Sequence, residues 1–272
     1  MSFSLHGIET PSALYRVYSQ IGDSDRSKPV CVYLPGIPGF HARVERALIA
    51  PQLPTDYPWV SLDLLGSGES LLKPGIKPTW TSLQSDLETI FDRLLSGRTM
   101  ILIAHSFGAW VAMDWIRNHP GRVAKLILVN PVLDHDLLDR SLESQEAFEK
   151  MIQDSWHREE AQKTFSKWAK LFPADYRLAK SIWFETPHLA SKAGKILGNL
   201  PTLILHGSED RIAPWNSHGR KILEGASDVS VEFVSNAGHW PHFENPAAAL
   251  PALIQFMEEK ETLWDVPEET SP

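Results

Sequence analysis

The chain has 272 residues, of which 43% are hydrophobic and 22% charged, with a formal net charge of -8. That is enough apolar material for one large domain, or one main domain with an insertion. The acidic balance is spread along the chain, densest from Glu258 to Glu269, and argues against nucleic acid as a partner. The start, Met1-Ser-Phe-Ser-Leu-His6, has no basic segment followed by a long apolar one, so no signal peptide is expected. No apolar run approaches the roughly 18 residues of a membrane-crossing helix. The single cysteine, Cys31, lies in an apolar run and reads as a small core residue. A cytoplasmic protein without disulfides and without a membrane partner is expected.

In chain order, Phe3 to Ile8 and Ala13 to Ile21 read as an edge hairpin. Pro29 to Leu34 reads as a buried strand, stopped by Pro35-Gly36-Ile37-Pro38-Gly39-Phe40, and His41 to Leu53 reads as helical. Trp59 to Leu65 is another strand, followed by a flexible turn, Gly66-Ser67-Gly68-Glu69-Ser70. From Thr79 to Leu95, Leu83, Leu87, Ile90, Phe91 and Leu94 fall on one face of a helix. Met100 to Ala104 reads as a buried strand. Ala109, Trp110, Ala112, Met113 and Ile116 then recur at helical spacing until Pro120-Gly121. Val123 to Val129 gives the next strand. Strands alternating with helices in this way imply right-handed crossovers and a mostly parallel sheet.

From about Pro131 to Leu200 the alternation fails. This stretch is charged and helix-rich and carries Trp156, Phe165, Trp168, Phe172, Trp183 and Phe184, so residues 131–200 are expected to form a helical insertion packed over the sheet edge. Its aromatic rings are more often core than substrate contacts. The alternation resumes with Thr202 to His206, a helix from Trp215 to Leu223, the strand Val229 to Val234 and a last helix from Pro246 to Glu259. Residues 1–130 and 201–272 would then form the main domain.

Ser106 stands where the strand pattern gives way to the helix pattern. A nucleophile on a tight strand-to-helix turn is lifted clear of the sheet, and the helix N-terminus offers unpaired N–H groups and a positive dipole end. The sequence form of such an elbow is G-x-S-x-G. Here Ala104 replaces the first glycine and Gly108 keeps the second. A loop with a serine N-cap is the plainer reading of the same residues. A serine hydroxyl needs a base, and the base needs a group that fixes its tautomer. Asp210 follows the strand ending at His206, and His239 follows the strand ending at Val234. In a parallel sheet both would emerge with Ser106 at the carboxyl ends of strands, where open α/β folds place their ligand crevice.

The order Ser, Asp, His, the Gly36-Ile37-Pro38-Gly39 loop, the run Asp63-Leu-Leu-Gly66-Ser-Gly68-Glu-Ser70, Gly207-Ser-Glu-Asp210 and Gly238-His239 together resemble the α/β-hydrolase fold from residue 29 to 258. The resemblance implies a mostly parallel central sheet flanked by helices, with residues 131–200 as a helical cap. It also implies a Ser106-His239-Asp210 triad and an oxyanion hole made by the backbone N–H groups of Phe107 and Ile37; Pro35 and Pro38 have no N–H to give. A carboxylesterase-like serine hydrolase acting on a small apolar or aromatic ester is the leading expectation, with Trp156, Trp168, Trp183 and Trp240 as candidate pocket residues and no cofactor or metal. Thioester and carbon-carbon bond hydrolysis use the same triad. Leu34-Pro35-Gly36 and His105 to Trp110 also resemble the cofactor-free quinolone-ring dioxygenases, whose acid would fall at Asn130-Pro131. Some members of the fold are small-molecule receptors with little turnover.

Other assignments stay open at this point. Glu209, Asp134 or Asp136 could orient the histidine instead of Asp210. His105, His206 and His242 could together suggest zinc, although their spacing matches no familiar ligand pattern. Asp63 with Gly66 and Gly68 reads as a turn-fixing group, and Trp110 as core. A homodimer is open as an assembly.

Overall fold

A computed structural model of the chain describes residues 4–20, 28–36, 41–44, 49–54, 56–95, 97–133, 143–169, 176–216 and 219–259. Among the described residues nine strands form one sheet: β1 (Ser4–Glu9), β2 (Ala13–Gln20), β3 (Val30–Leu34), β4 (Trp59–Leu62), β5 (Leu71–Leu72), β6 (Met100–His105), β7 (Val123–Val129), β8 (Thr202–Gly207) and β9 (Val229–Val234). Their order is β1-β2-β4-β3-β6-β7-β8-β9, with β5 paired to β2. The hairpin β1-β2 is antiparallel and β2 meets β4 antiparallel. From β4 through β3, β6, β7 and β8 to β9 every pairing is parallel. This is the mostly parallel sheet flanked by helices that the alternation implies.

The parallel strands are apolar on both faces because both faces are covered. Val30, Val32 and Leu34 of β3, Leu102 and Ala104 of β6, and Leu126 and Leu128 of β7 point into one core. Cys31, Tyr33, Ile101, Ile103, Ile127 and Val129, one step out of phase, point into the other. The first core is closed by α1 (Trp80–Leu95) and α2 (Phe107–Asn118). Leu250, Leu253 and Met257 of the last helix close the second. Lys125 fastens that helix by its end, donating from Nζ to the carbonyls of Phe256 at 2.7 Å and Met257 at 3.3 Å. A cation there complements the helix's negative pole.

Between β7 and β8 lie α3 (Gln145–Asp154), α4 (Glu159–Ala169), α5 (Tyr176–Trp183) and α6 (Ala193–Leu197), with no strand among the described residues. Phe148, Met151, Leu178, Ile182 and Trp183 join the first core, so α3 and α5 seat on the same side of the sheet as α2, while Phe165 of α4 packs in a separate cluster with Val44, Trp156 and Trp240. Trp110, fully buried, ties α2 to this stretch by donating its indole N–H to the Pro187 carbonyl at 2.7 Å. Among the described residues, no helix is long and apolar enough to cross a membrane.

Some elements differ from expectation. Of the helix expected from Trp215 to Leu223, residues 217–218 lie outside the described part, and the described residues show a single turn, α7 (Gly219–Ile222). The strand expected to reach Leu65 ends at Leu62, and a turn follows over residues 65–69. A short helix, α8 (Pro241–Glu244), precedes the last helix, α9 (Pro246–Glu258). Of the helix expected over His41 to Leu53, residues 45–48 lie outside the described part, and its end is a 3-10 turn over Ala50–Gln52.

Gly108 packs against the backbone of β3 and its loop: a Cβ there would lie 2.5 Å from the carbonyl oxygens of both Leu34 and Pro35. Main-chain oxygens cannot swing aside as a side chain would. Gly108→Ala is therefore expected to cost about 1–3 kcal/mol through overpacking, read as a lower urea midpoint at unchanged slope. An unchanged midpoint would contradict this packing.

Candidate active site

Ser106 sits between β6 and α2 with φ 52° and ψ -116°, a backbone state costly for a residue with a side chain. The surroundings hold it there. Its N–H donates to the Val129 carbonyl at 2.9 Å, and its carbonyl accepts from Ala109 N–H at 3.0 Å. Phe107 is the first residue of α2, so its N–H is one of those that a helix leaves without an internal partner. Ile37 lies outside the described residues.

Two later loops meet this turn. His239 Nε2 lies 2.8 Å from Ser106 Oγ, and His239 Nδ1 lies 2.9 Å from Asp210 Oδ2. The carboxylate fixes the tautomer: Nδ1–H donates to Asp210, which leaves Nε2 to accept from the serine hydroxyl. All three residues are buried, with Ser106 and His239 3% and Asp210 7% exposed.

Asp210 is held from every side. Its Oδ1 accepts from Ile212 N–H at 2.8 Å and Ala213 N–H at 3.1 Å, and its Oδ2 accepts from the Asn130 amide as well as from His239. Burial pushes its pKa up. The charge and hydrogen bond of His239, with the Asn130 and Ala213 donors, outweigh that and hold the carboxyl well below the usual carboxylate range. Asn130, at φ 42°, also accepts Gly207 N–H on its Oδ1 at 3.0 Å. An amide thus occupies the place where the dioxygenase-like reading would need the acid. Glu209 is an exposed neighbour whose N–H donates to the Ala237 carbonyl, while Asp134 and Asp136 lie outside the described residues.

The further histidines have separate surroundings. His105 donates from Nε2 to the His239 carbonyl at 2.8 Å. Burial, then the nearness of His242 and His239, drives its pKa well down, so it stays uncharged. The ring of His242 packs on Phe243 and lies 5.1 Å from His105 between centroids. His206 sits edge-on to Trp215 and Phe233, its pKa lowered by burial.

His41, Asp63 and Glu69 form the one group among the described residues with metal-compatible spacing. Asp63, however, spends Oδ1 on Ala42 N–H at 2.8 Å and Oδ2 on Glu69 N–H at 2.9 Å. This fits the turn-fixing role expected for Asp63.

Of the candidate pocket indoles, Trp156 and Trp240 stack on each other at 5.3 Å and 6° with Phe165 against both. Trp183 packs edge-on to Trp110 at 5.0 Å and touches Phe107. The Trp168 side chain lies outside the described part. A cavity of about 320 Å³ beside the stack is lined by Ile49, Ala161, Phe165, His242 and Phe243, among others.

Sequence reasoning missed three contacts of these loops: the Asn130 amide on Asp210, the Ser155 carbonyl, which accepts His239 N–H at 2.8 Å, and the Glu244 carboxylate, which accepts Gly238 N–H at 2.9 Å. Asn130 could have been found as the polar residue ending an apolar strand beside the expected site. The other two had no local signal.

The fold and the meeting of serine, histidine and aspartate at the strand ends are those of an α/β hydrolase. The model of the alpha/beta hydrolase family matches residues 31–252, and the chain belongs to that family. It is 23% identical, over 89% of its length and 91% of the relative's, to the 2-hydroxymuconate semialdehyde hydrolase of Pseudomonas sp. (strain CF600). Its fold is similar to that of the 2-hydroxy-6-oxo-6-phenylhexa-2,4-dienoate hydrolase from Rhodococcus sp. strain RHA1, with TM-score 0.72 and 20% identity over 95% of this chain and 100% of that one. A serine hydrolase from Cycloclasticus zankles superposes at TM-score 0.74 and 16% identity, covering 94% and 98%.

The buried imidazoles have a measurable consequence. Burial, then the His239 charge, pushes the pKa of His242 down to about 3, whereas in the unfolded chain it would take up a proton below about 6.5. The unfolded state therefore binds more protons between these values, so stability falls as pH drops from about 6.5 towards about 3. In His242→Phe this part of the slope is expected to flatten, read from urea midpoints at about pH 7, 5 and 4. A variant with the wild-type slope would show that His242 is not held neutral.

Proposed function

We propose that the protein is a serine hydrolase that cleaves a carboxylic ester of a small apolar or aromatic substrate through an acyl-enzyme. The observation that carries this reading is the unbroken line from Ser106 Oγ through His239 to Asp210, with spacings of 2.8 and 2.9 Å. His239 Nε2 takes the hydroxyl proton as Ser106 Oγ attacks the carbonyl carbon. Asp210, kept ionised, stabilises the imidazolium that forms. The developing oxyanion is met by Phe107 N–H and, by the resemblance of the glycine-rich loop, by Ile37 N–H. Each such donor is worth about 10²- to 10³-fold in rate. The imidazolium then gives its proton to the leaving alkoxide, and water repeats the sequence on the acyl-enzyme. These steps balance without a cofactor or metal.

In this reading residues 131–200 act as a helical cap over the site, and Trp183, against Phe107, is the indole best set to touch an acyl group. The partner is a small molecule rather than nucleic acid or membrane, in a cytoplasmic setting.

A second reading keeps the three side chains and gives them a carbon-carbon bond. It is supported by the sequence similarity to a 2-hydroxymuconate semialdehyde hydrolase along most of the chain. The two readings part on substrate: aryl esters of graded acyl size should be turned over faster than 2-hydroxymuconate semialdehyde, and the reverse order favours the second.

Ser106→Ala is expected to lower turnover of either substrate by about 10³-fold or more and to abolish labelling by a fluorophosphonate, which bonds to the serine Oγ. Labelling or turnover that survives this substitution would remove Ser106 from the chemistry.

A further inference from the structure

His239 is fixed at its two ring nitrogens, yet its position depends on where the loop from Ala237 to Trp240 lies. That loop is held by a carboxylate outside the triad. Glu244, 1% exposed, directs Oε1 to Gly238 N–H at 2.9 Å and Trp240 N–H at 3.2 Å. Its Oε2 accepts from His157 N–H at 2.8 Å and Arg158 N–H at 2.7 Å. A carboxylate has about four lone-pair sites, and here each meets a main-chain donor, two on the His239 loop and two on the joint between α3 and α4.

The same joint makes further bonds to the loop. The Ser155 carbonyl accepts His239 N–H at 2.8 Å, and Ser155 Oγ accepts the Trp240 indole N–H at 2.8 Å. Gly238 lets the two segments close, since a Cβ there would stand 2.9 Å from both His157 N and Ser155 O. The Arg158 guanidinium donates to the Glu244 carbonyl, and His157 Nε2 lies 3.1 Å from Asn236 Oδ1. Few of these groups are near each other in sequence, so the joint and the loop share one position.

We propose that Glu244 is a positioning residue for the hydrolytic reaction. It latches the α3–α4 joint of the insertion to the His239 loop, so that seating of the insertion and alignment of His239 with Ser106 are a single event. This rests on the serine-hydrolase reading above. Glu244 touches neither substrate nor reacting atoms and acts through His239. A displacement of about 1 Å at a reacting group costs on the order of 10²-fold, and loss of the latch frees a motion of that size.

The test uses the full chain with Glu244→Gln, Glu244→Ala and Ser155→Ala, the last removing the Trp240 indole acceptor together with a local bond from Ser155 Oγ to the Ile152 carbonyl at 2.6 Å. Glu244→Ala is expected to lower kcat and the rate of fluorophosphonate labelling by about 10²-fold, and Glu244→Gln, which keeps one carbonyl oxygen, by roughly tenfold. KM should change less than about threefold, and the acid limb of the kcat/KM profile, which reports the histidine in free enzyme, should shift. Folded Glu244 variants with wild-type kcat and acid limb overturn the latch. If neither Glu244 variant folds, Ser155→Ala decides: a several-fold fall in kcat supports the proposal, and an unchanged kcat and acid limb overturn it. Activity in Ser106→Ala sinks the underlying reading instead, so the two failures are distinguishable.

Discussion

The strained turn at Ser106 is the constraint on which the other features depend. At φ 52° the residue would relax to a commoner conformation were its N–H not bonded to Val129 and the following helix not pressed onto β3 at Gly108. Strain of this kind survives only where the surroundings over-determine it. The parallel register of β6, β7 and β8 supplies that rigidity: it aligns Ala104 with Leu128 and Val129 with Leu205. The strand ends that carry Ser106, Asn130 and Asp210 therefore share one rim.

Around this rim the polar groups are buried and, at Asp210, fully satisfied. That matters because an unpaired buried carboxylate would raise its pKa and lose its charge. Asn130 extends the arrangement one strand further, joining β7 to Asp210 and to Gly207 N–H through the two ends of one amide. Glu244 does the same for the joint between α3 and α4, with four main-chain donors on a single carboxylate. The site is thus held by side chains that bridge chain segments, each stationed where a strand or helix stops.

Much of this was legible in the sequence. The short continuous apolar runs of the strands and the helical spacing after Ser106 gave the element order, and the hairpin, the central strands, α1, α2 and the last helix fell close to their expected limits. The three polar residues at strand ends gave a candidate site whose side chains do converge. What stayed hidden was contact between distant segments. Glu244 lies in an unremarkable run, Pro241-His-Phe-Glu244, and nothing local indicates that its carboxylate will reach His157 and Arg158. Of the helix expected from Trp215 to Leu223 the described residues show the turn Gly219–Ile222, and the Trp215 ring packs on His206 and Phe233, a contact between distant segments that its apolar spacing did not reveal. The candidate pocket tryptophans illustrate a related ambiguity, since the composition that suggests a pocket also builds the Trp156–Trp240 stack.

The central claim is that Asp210 holds His239 in the tautomer that draws the proton from Ser106. The most direct measurement is the second-order rate at which an uncharged aryl phosphonate bonds to Ser106 in wild type and in Asp210→Asn. An amide at that place keeps the shape but presents the wrong hydrogen-bonding partner to Nδ1, and a fall of about 10⁴-fold near neutral pH is expected. A rate within a few-fold of wild type would contradict the account.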